Sequence, residues 1–422
     1  MLLQDATGDP PAAYHPVGHP EVAVKATCAL ALLLCAALSA ACAAPIPQAE
    51  PITLDFAAPE SDRQYWEGLL DPFRESHPTF TVNVQPNIND ETDVVLLDPF
   101  GWEDAMDDSG LLNLDIFIEE DATFDRSDFP AGALALFARD GKQWCVPFDA
   151  DAIVMYYNRD LFDRAGLPYP QPGWNWSDFL GAAQAIRDPD AGIYGYLSPH
   201  SDQQRIDALL FMLTHDAVPF PDAGSVEDDA ALHLDDPGLV EAITFWADLM
   251  HRYNVAPTRE QLASELRSGL EGELAAKQEG KAGMWMDWYG ARAEVEGLLR
   301  DRQRWGITTV PSDRRAGTLA LGRGLCIVAD APSPQAAWEL VAFVSRQLPE
   351  SDFPARRSVA ASESYVLQAG EEAAGVAAAS LENSLLISPG LLRFSASTQG
   401  LFSALRRIDE GSVSVSEALS DR

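Results

Sequence analysis

The sequence predicts an α/β protein, organised as two or three domains or as one large bilobal unit. Three observations carry this reading. The chain has 422 residues, more than one ordinary domain holds. Its hydrophobic fraction of 47% is enough for a full core and excludes global disorder. Ile52–Phe56, Tyr65–His77 and Phe80–Val84 then read as strand, helix, strand, the opening of a parallel βαβ sheet.

The amino terminus carries an export pattern. Lys25 precedes ATCALALLLCAALSAACAAP, an apolar run of secretory-signal length with a small-residue exit. The run is shorter than the roughly 20 apolar residues of a comfortable membrane span. Met1 to Ala23 contains Pro, His and Asp without pattern and stands where the charged start of a signal belongs. Residues 1–44 are therefore expected to be a misassigned start plus a signal peptide, with translation beginning at Val24 through an alternative start codon. Leu38-Ser39-Ala40-Ala41-Cys42 resembles a bacterial lipobox, which makes Cys42 the expected lipidation site. Conventional cleavage near Ala41 or Ala43 is the alternative.

The elements follow in order. Tyr65–His77 puts Trp66, Leu69, Leu70 and Phe73 on one helical face. Asp93–Leu97 reads as a third strand, followed by Asp98-Pro99-Phe100-Gly101-Trp102. Only Gln85 to Thr92 separates strands two and three, too few residues for a helical crossover of about a dozen. Cys145 begins an apolar, β-branched run interrupted by Asp149 and Asp151, and reads as a buried strand. A short helix after Asn158 is stopped by Gly166 and Pro168, and Ser177-Asp178 starts another. Helices are predicted near 176–186, 204–215 and 239–253, with a strand at Ile193–Tyr196 between the first two.

Composition narrows the function. The net charge of -36 argues against nucleic acid and against docking on anionic lipid. Lysine occurs only at Lys25, Lys142, Lys277 and Lys281, while arginine and alanine abound, the mark of a GC-rich genome. G-x-S-x-G, H-E-x-x-H and P-loop patterns are missing, and no acidic pair stands out as a glycosidase couple. Beyond the signal, only Cys145 and Cys326 remain, without a CxxC. Export permits a disulfide between them, and two buried free thiols are the alternative.

The stretch CVPFDADAIVMYYNRDLFDRAGLPYPQPGWNWSDFL, Cys145 to Leu180, resembles the extracellular solute-binding proteins of ABC importers, family 1, which include the maltose-binding proteins. There a strand crosses between two lobes, enters Y-N-x-D-L-F-x-x-A-G-L and is followed by P-x-x-W-x-x-(F/L). The likeness continues through Ser109–Asp115, Gly272–Trp288, Trp305–Pro311, Gly322-Arg323-Gly324, Pro334–Arg346 and Gly411–Leu419. It implies the type II periplasmic-binding-protein fold, with two parallel-type sheets flanked by helices and a hinge between them. On that pattern, 45–148 and 307–353 form lobe 1, and 149–306 and 354–422 form lobe 2. It also implies an exported monomer, free of cofactor and metal, that is not an enzyme. Such a protein binds a sugar, an oligosaccharide or another small polar solute such as a polyol or glycerol-phosphate-like molecule, and hands it to the permease subunits. Tyr156-Tyr157 is similar to the tyrosine pairs of iron binders, but it continues the crossing strand in the manner of the sugar binders.

Sugar sites need flat aromatic faces for C–H surfaces and carboxylates or Arg for hydroxyls. Asp98 and Trp102 follow strand three; their alternatives are a turn aspartate and a core indole. Asp151 lies in the crossing strand and faces either the cleft or a satisfied hinge network; the family often turns this position to its ligand, which favours the cleft. Asp287 and Trp288 match ligand-facing positions of the family, while Trp285 and Met286 are assigned to the core. Arg323 sits between glycines that permit close backbone approach. Glu60, after strand one, completes the candidates. Trp174 and Trp176 fit either a cap on lobe 2 or the rim of the cleft.

Overall fold

The computed structural model describes residues 51–422 except 108–109, 200–204, 218–233, 267–268, 300–302, 383, 387–395 and 421–422. The expected signal, the Val24 start and Cys42 lie outside the described residues.

In chain order the strands are β1 (Ile52–Ala57), β2 (Phe80–Gln85), β3 (Val94–Leu97), β4 (Ala138–Arg139), β5 (Lys142–Gln143), β6 (Cys145–Pro147) and β7 (Asp149–Asn158). They continue as β8 (Tyr194–Leu197), β9 (Ala282–Trp288), β10 (Trp305–Thr308), β11 (Leu319–Leu321), β12 (Gly324–Ile327), β13 (Phe353–Pro354) and β14 (Leu385–Leu386). They build two main sheets, ordered β2-β1-β3-β12-β6 and β14-β11-β7-β9-β8, and a small β4-β5 hairpin.

The first sheet opens as predicted. β1 pairs in parallel with β2 and β3. Helix Arg63–Ser76 buries Trp66, Leu70 and Phe73, and Trp66 meets Phe56 edge-on at 5.0 Å. No helix joins β2 to β3. The short connection is tied to β1 instead: Asp93 N–H donates to Asp55 O, and the Asp93 carboxylate accepts Asp55 N–H, both at 2.9 Å. β12 returns antiparallel between β3 and β6.

The second sheet is centred on β7. Successive side chains of a strand point to opposite faces. Ile153, Met155 and Tyr157 accordingly enter one apolar cluster, and Ala150, Val154 and Tyr156 another. Both faces are covered, which is why this strand reads as a nearly unbroken apolar run. Tyr156 and Tyr157 are both core residues, their hydroxyls donating to Trp288 O and to Glu372. Trp174 and Trp176 also lie in the core, 8% exposed each.

Two expectations change. Trp305–Thr308 does not return to the first sheet; it pairs antiparallel with residues 155–158 of β7. Trp305 packs on Tyr156 at 5.7 Å, and Gly306 leaves room for the Tyr157 ring, where a Cβ would lie 2.4 Å from its Cζ. β11 also pairs with β7, so the chain re-enters the first sheet at Gly324 and not at 307. The two cysteines, paired across β6 and β12, form a disulfide.

Close packing of β8 under helix Trp176–Ile186 supplies a test. A Cβ at Gly195 would lie 2.0 Å from Ala183 O, whereas one at Gly181 meets nothing within 4 Å. Gly195→Ala should lose ~1–3 kcal/mol or more by overpacking. Gly181→Ala, inside the same helix, should gain up to about 1 kcal/mol from propensity. Urea melts followed by circular dichroism should give midpoints moving in opposite directions.

Candidate functional site at the crossings between the sheets

The chain passes between the sheets at Pro147–Asp149, at Gly322–Gly324 and through 345–352. The first two crossings touch. A Cβ at Gly322 would lie 2.6 Å from Asp149 O, and one at Gly324 would lie 2.9 Å from the Phe137 ring and 3.0 Å from Cys145 Cβ. Only glycine permits this approach. It serves the neighbouring crossing, where the Gly-Arg-Gly motif predicts closeness to a ligand.

The approach delivers Arg323 to Asp149. The Asp149 carboxylate accepts the Arg323 backbone N–H at 2.9 Å and Nε–H at 2.8 Å, and Nη2 contacts the same oxygen as Nε. Asp62 and Asp352 lie 3.4 and 3.3 Å from the same guanidinium. Burial works against the charge of Arg323, but Asp149, Asp352 and Asp62 outweigh it and hold the group protonated.

Asp151, two residues along β7, accepts Gly290 N–H at 3.0 Å. A Cβ at Gly290 would lie 2.3 Å from Asp352 Oδ1 and 3.0 Å from Asp151 Oδ2, so the two carboxylates meet over bare backbone. Burial and then the Asp352 charge push Asp151 up to about 7. Burial and then the Asp149 charge push Asp352 up to about 6, against the pull of Arg323 and Arg292.

Beyond Gly290 the end of β9 presents Asp287 and Trp288. Both line a cavity of about 310 Å³ with Ile153, Leu270, Glu273 and Lys277. Asp287 pairs with Lys277 at 3.1 Å, and Trp288 is half-buried. Trp288 stands opposite Ile153, on the face of β7 that also carries Asp151, whereas Asp287 stands opposite Val154 on the other face. A second cavity, of about 270 Å³, is bounded by Phe137 and Pro147 of the first sheet's side and by Asp149, Phe353 and Arg357.

Of the residues expected from sequence, the fold thus links Asp151 to Arg323 through Asp352 and sets Asp287 and Trp288 opposite Val154 and Ile153 at the end of β9. Three others go elsewhere. Trp102 is 4% exposed and packs with Leu97, Phe137 and the disulfide; it is a core indole with no face left for a ligand. Asp98 accepts Gly101 N–H at 2.8 Å and starts helix Pro99–Asp107, the turn role. Glu60 pairs with Arg63 at 2.7 Å on an exposed turn. Sequence reasoning missed Asp62, Asp149, Asp352 and Gly290 as members of the site. Only Asp149 carried a signal, as an acid breaking an apolar run.

The arrangement offers carboxylate oxygens to hydroxyl or N–H donors, with a half-buried indole close by. Among the described residues no group of three His, Cys, Asp or Glu side chains is placed to hold a metal. Two sheets joined by crossing segments, with polar groups gathered at the crossings, define a bilobal α/β binding protein. The chain matches the family model of the bacterial extracellular solute-binding proteins over residues 58–347 and belongs to that family. Its fold is similar to the sugar-binding protein MalE from Xanthomonas citri, with a TM-score of 0.71, 19% identity, and 87% of this chain and 95% of that one covered. It is also similar to UgpB from Mycobacterium tuberculosis in complex with glycerophosphocholine, with a TM-score of 0.67, 18% identity, and 89% and 96% covered. Among curated relatives, the sn-glycerol-3-phosphate-binding periplasmic protein UgpB of Agrobacterium fabrum is 31% identical over 85 residues. That match spans only about a fifth of either chain, 20% of each.

The raised carboxyls give a pH dependence of definite sign. An unfolded aspartate titrates near 3.9. Between about 4 and 7 the folded chain therefore holds protons at Asp151 and Asp352 that the unfolded chain has released. Stability from this pair is complete at low pH and is lost as pH rises through 6 to 7. Asp151→Asn should flatten this part of the stability profile and make the variant relatively more stable at pH 8. Chemical denaturation of both proteins from pH 5 to 8 checks it, and parallel profiles would refute it.

Proposed function

We propose that this protein is the extracytoplasmic receptor of an ABC importer, binding a sugar or oligosaccharide between its lobes and delivering it to the permease. The observation that carries this reading is the group of Asp62, Asp149 and Asp352 around Arg323 where the chain crosses between the sheets, with Asp151 meeting Asp352 over Gly290 and Trp288 opposite Ile153, two residues along β7 from Asp151. Ligand sites favour such junctions, and hinge closure buries the ligand. Hydroxyls find acceptors in the carboxylates, and the indole supplies a flat surface for C–H faces. Cys42 would tether the receptor to the outer side of the membrane; cleavage beside it would leave the protein free outside the cytoplasm.

A phosphorylated polyol is the second reading, favoured by the glycerol-3-phosphate-binding relatives. The charge of the site speaks against it. Arg323 is already bonded to Asp149, and a phosphate would meet the surrounding carboxylates at short range. An exported enzyme is the third, distinguished by turnover instead of stoichiometric binding.

Thermal-shift screening against neutral mono- and oligosaccharides, with sn-glycerol 3-phosphate as the competing class, tests the reading, because a ligand of the native state stabilises it by mass action. A neutral sugar should raise the melting temperature and shrink the radius of gyration in solution scattering. A shift with glycerol 3-phosphate alone would overturn the sugar assignment.

Trp288→Ala should weaken binding of that sugar about tenfold or more, about 1.4 kcal/mol per decade, with a native far-UV spectrum. A purely structural Trp288 would instead lose about 3–5 kcal/mol of stability and leave the folded fraction binding normally. Calorimetric titration beside a denaturation curve separates the two outcomes.

A further inference from the structure

We propose that the Cys145–Cys326 disulfide is a positioning element for the inter-lobe site: it holds two chain crossings in register so that Asp149 meets Arg323.

The bond joins directly opposed residues of β6 and β12, with a Cα separation of 4.2 Å. From there the two chains run together out of the first sheet. Val146 faces Leu325, and Pro147 faces Gly324. Phe148 N–H then donates to Arg323 O at 2.8 Å, and the Asp149 carboxylate captures the Arg323 side chain. The ion pair thus lies four residues beyond Cys145 on one chain and three before Cys326 on the other. The third crossing joins the same rung, since Ala355 N–H donates to Phe148 O at 3.2 Å.

On the second-sheet side β11 aligns these chains, with Leu321 opposite Asp151 and Ala320 opposite Ala152; on the first-sheet side little besides the disulfide does. β6 has three residues and stands at the edge of its sheet, with β12 as its neighbour in the sheet order. One of the three is Pro147, which has no N–H to donate. A sequence separation of 181 residues lies between the cysteines, so no local turn sets the alignment. A one-residue slip of β6 would face Asp149 away from Arg323. That would leave a carboxylate only 2% exposed without its cation. The cysteines are themselves fully buried, packed with Val95, Leu97, Trp102 and Phe137, where water cannot replace the lost link.

A disulfide that merely stabilises the fold protects every region together by restraining the unfolded chain. A positioning disulfide protects the crossings selectively. The experiment is amide hydrogen exchange by mass spectrometry on the full chain without solute, comparing the oxidised protein with Cys145→Ala/Cys326→Ala. Exchange should quicken by about tenfold or more in peptides covering 146–151 and 322–327, while peptides of β1, β2 and β9 stay unchanged. Uniform acceleration across the chain or unchanged crossings would overturn the proposal.

Asp149→Asn with the disulfide intact separates cause from consequence. Its crossing peptides should stay protected, because the covalent link holds the register without the ion pair. Fraying of 146–148 and 324–327 in that variant would show the ion pair holding the strands, and would overturn the proposal even if the alanine pair does not fold.

Discussion

Ten residues, Asp149–Asn158, pair with β9, β10, β11 and β13, while the residue at their head is bonded into the other half of the molecule. This strand sets the frame for the second sheet. Its head carries a buried charge: Asp149 is 2% exposed, and a buried carboxylate is tolerable only with a cation and good hydrogen bonds. Arg323 supplies both, through its backbone and its guanidinium. Removing one partner of such a pair costs about 3–5 kcal/mol. The glycines at 322 and 324, the disulfide and the re-entry of the chain at Gly324 all serve to bring that partner in.

The same pair organises the chemistry. Arg323 is held most closely by Asp149 and reaches Asp352 at 3.3 Å; Asp151 and Asp352 meet over Gly290, and burial raises both. A carboxyl held near neutrality is an acceptor when ionised and a donor when protonated, which suits a solute rich in hydroxyls. A solute that touches both lobes favours the closed state only by contacts it gains there. On the proposed reading, groups at the crossings would make such contacts, because they border both sheets.

The second sheet carries a separate buried polar network. Asp207 accepts the Ser198 hydroxyl, the Tyr196 hydroxyl at 3.3 Å and the Trp246 indole N–H at 2.9 Å. Arg205, 1% exposed, lies over the Trp246 ring and pairs with Asp409 at 3.2 Å. It thereby ties helix Ala396–Asp409 to helix Ile206–Thr214. This network stands apart from the crossings and anchors the carboxy-terminal helices to the lobe.

Sequence alone determined what local pattern controls. The strand–helix–strand opening, the missing helix between β2 and β3 and the buried strand after Cys145 follow from side-chain period and segment length; that this strand crosses between lobes came from the family likeness. The family likeness added the bilobal plan. Partners distant in sequence were beyond that reach. Trp102 reads equally well as core or rim until the helix it sits on is packed over the disulfide. Cys145 and Cys326 are bonding partners only once β12 has come back beside β6. Asp352 and Gly290 carry no local signal, yet they complete the carboxylate group around Asp151. Pattern reports which face of its own element a residue occupies. Strand order and the meeting of the crossings decide what that face touches, and so they decided the site.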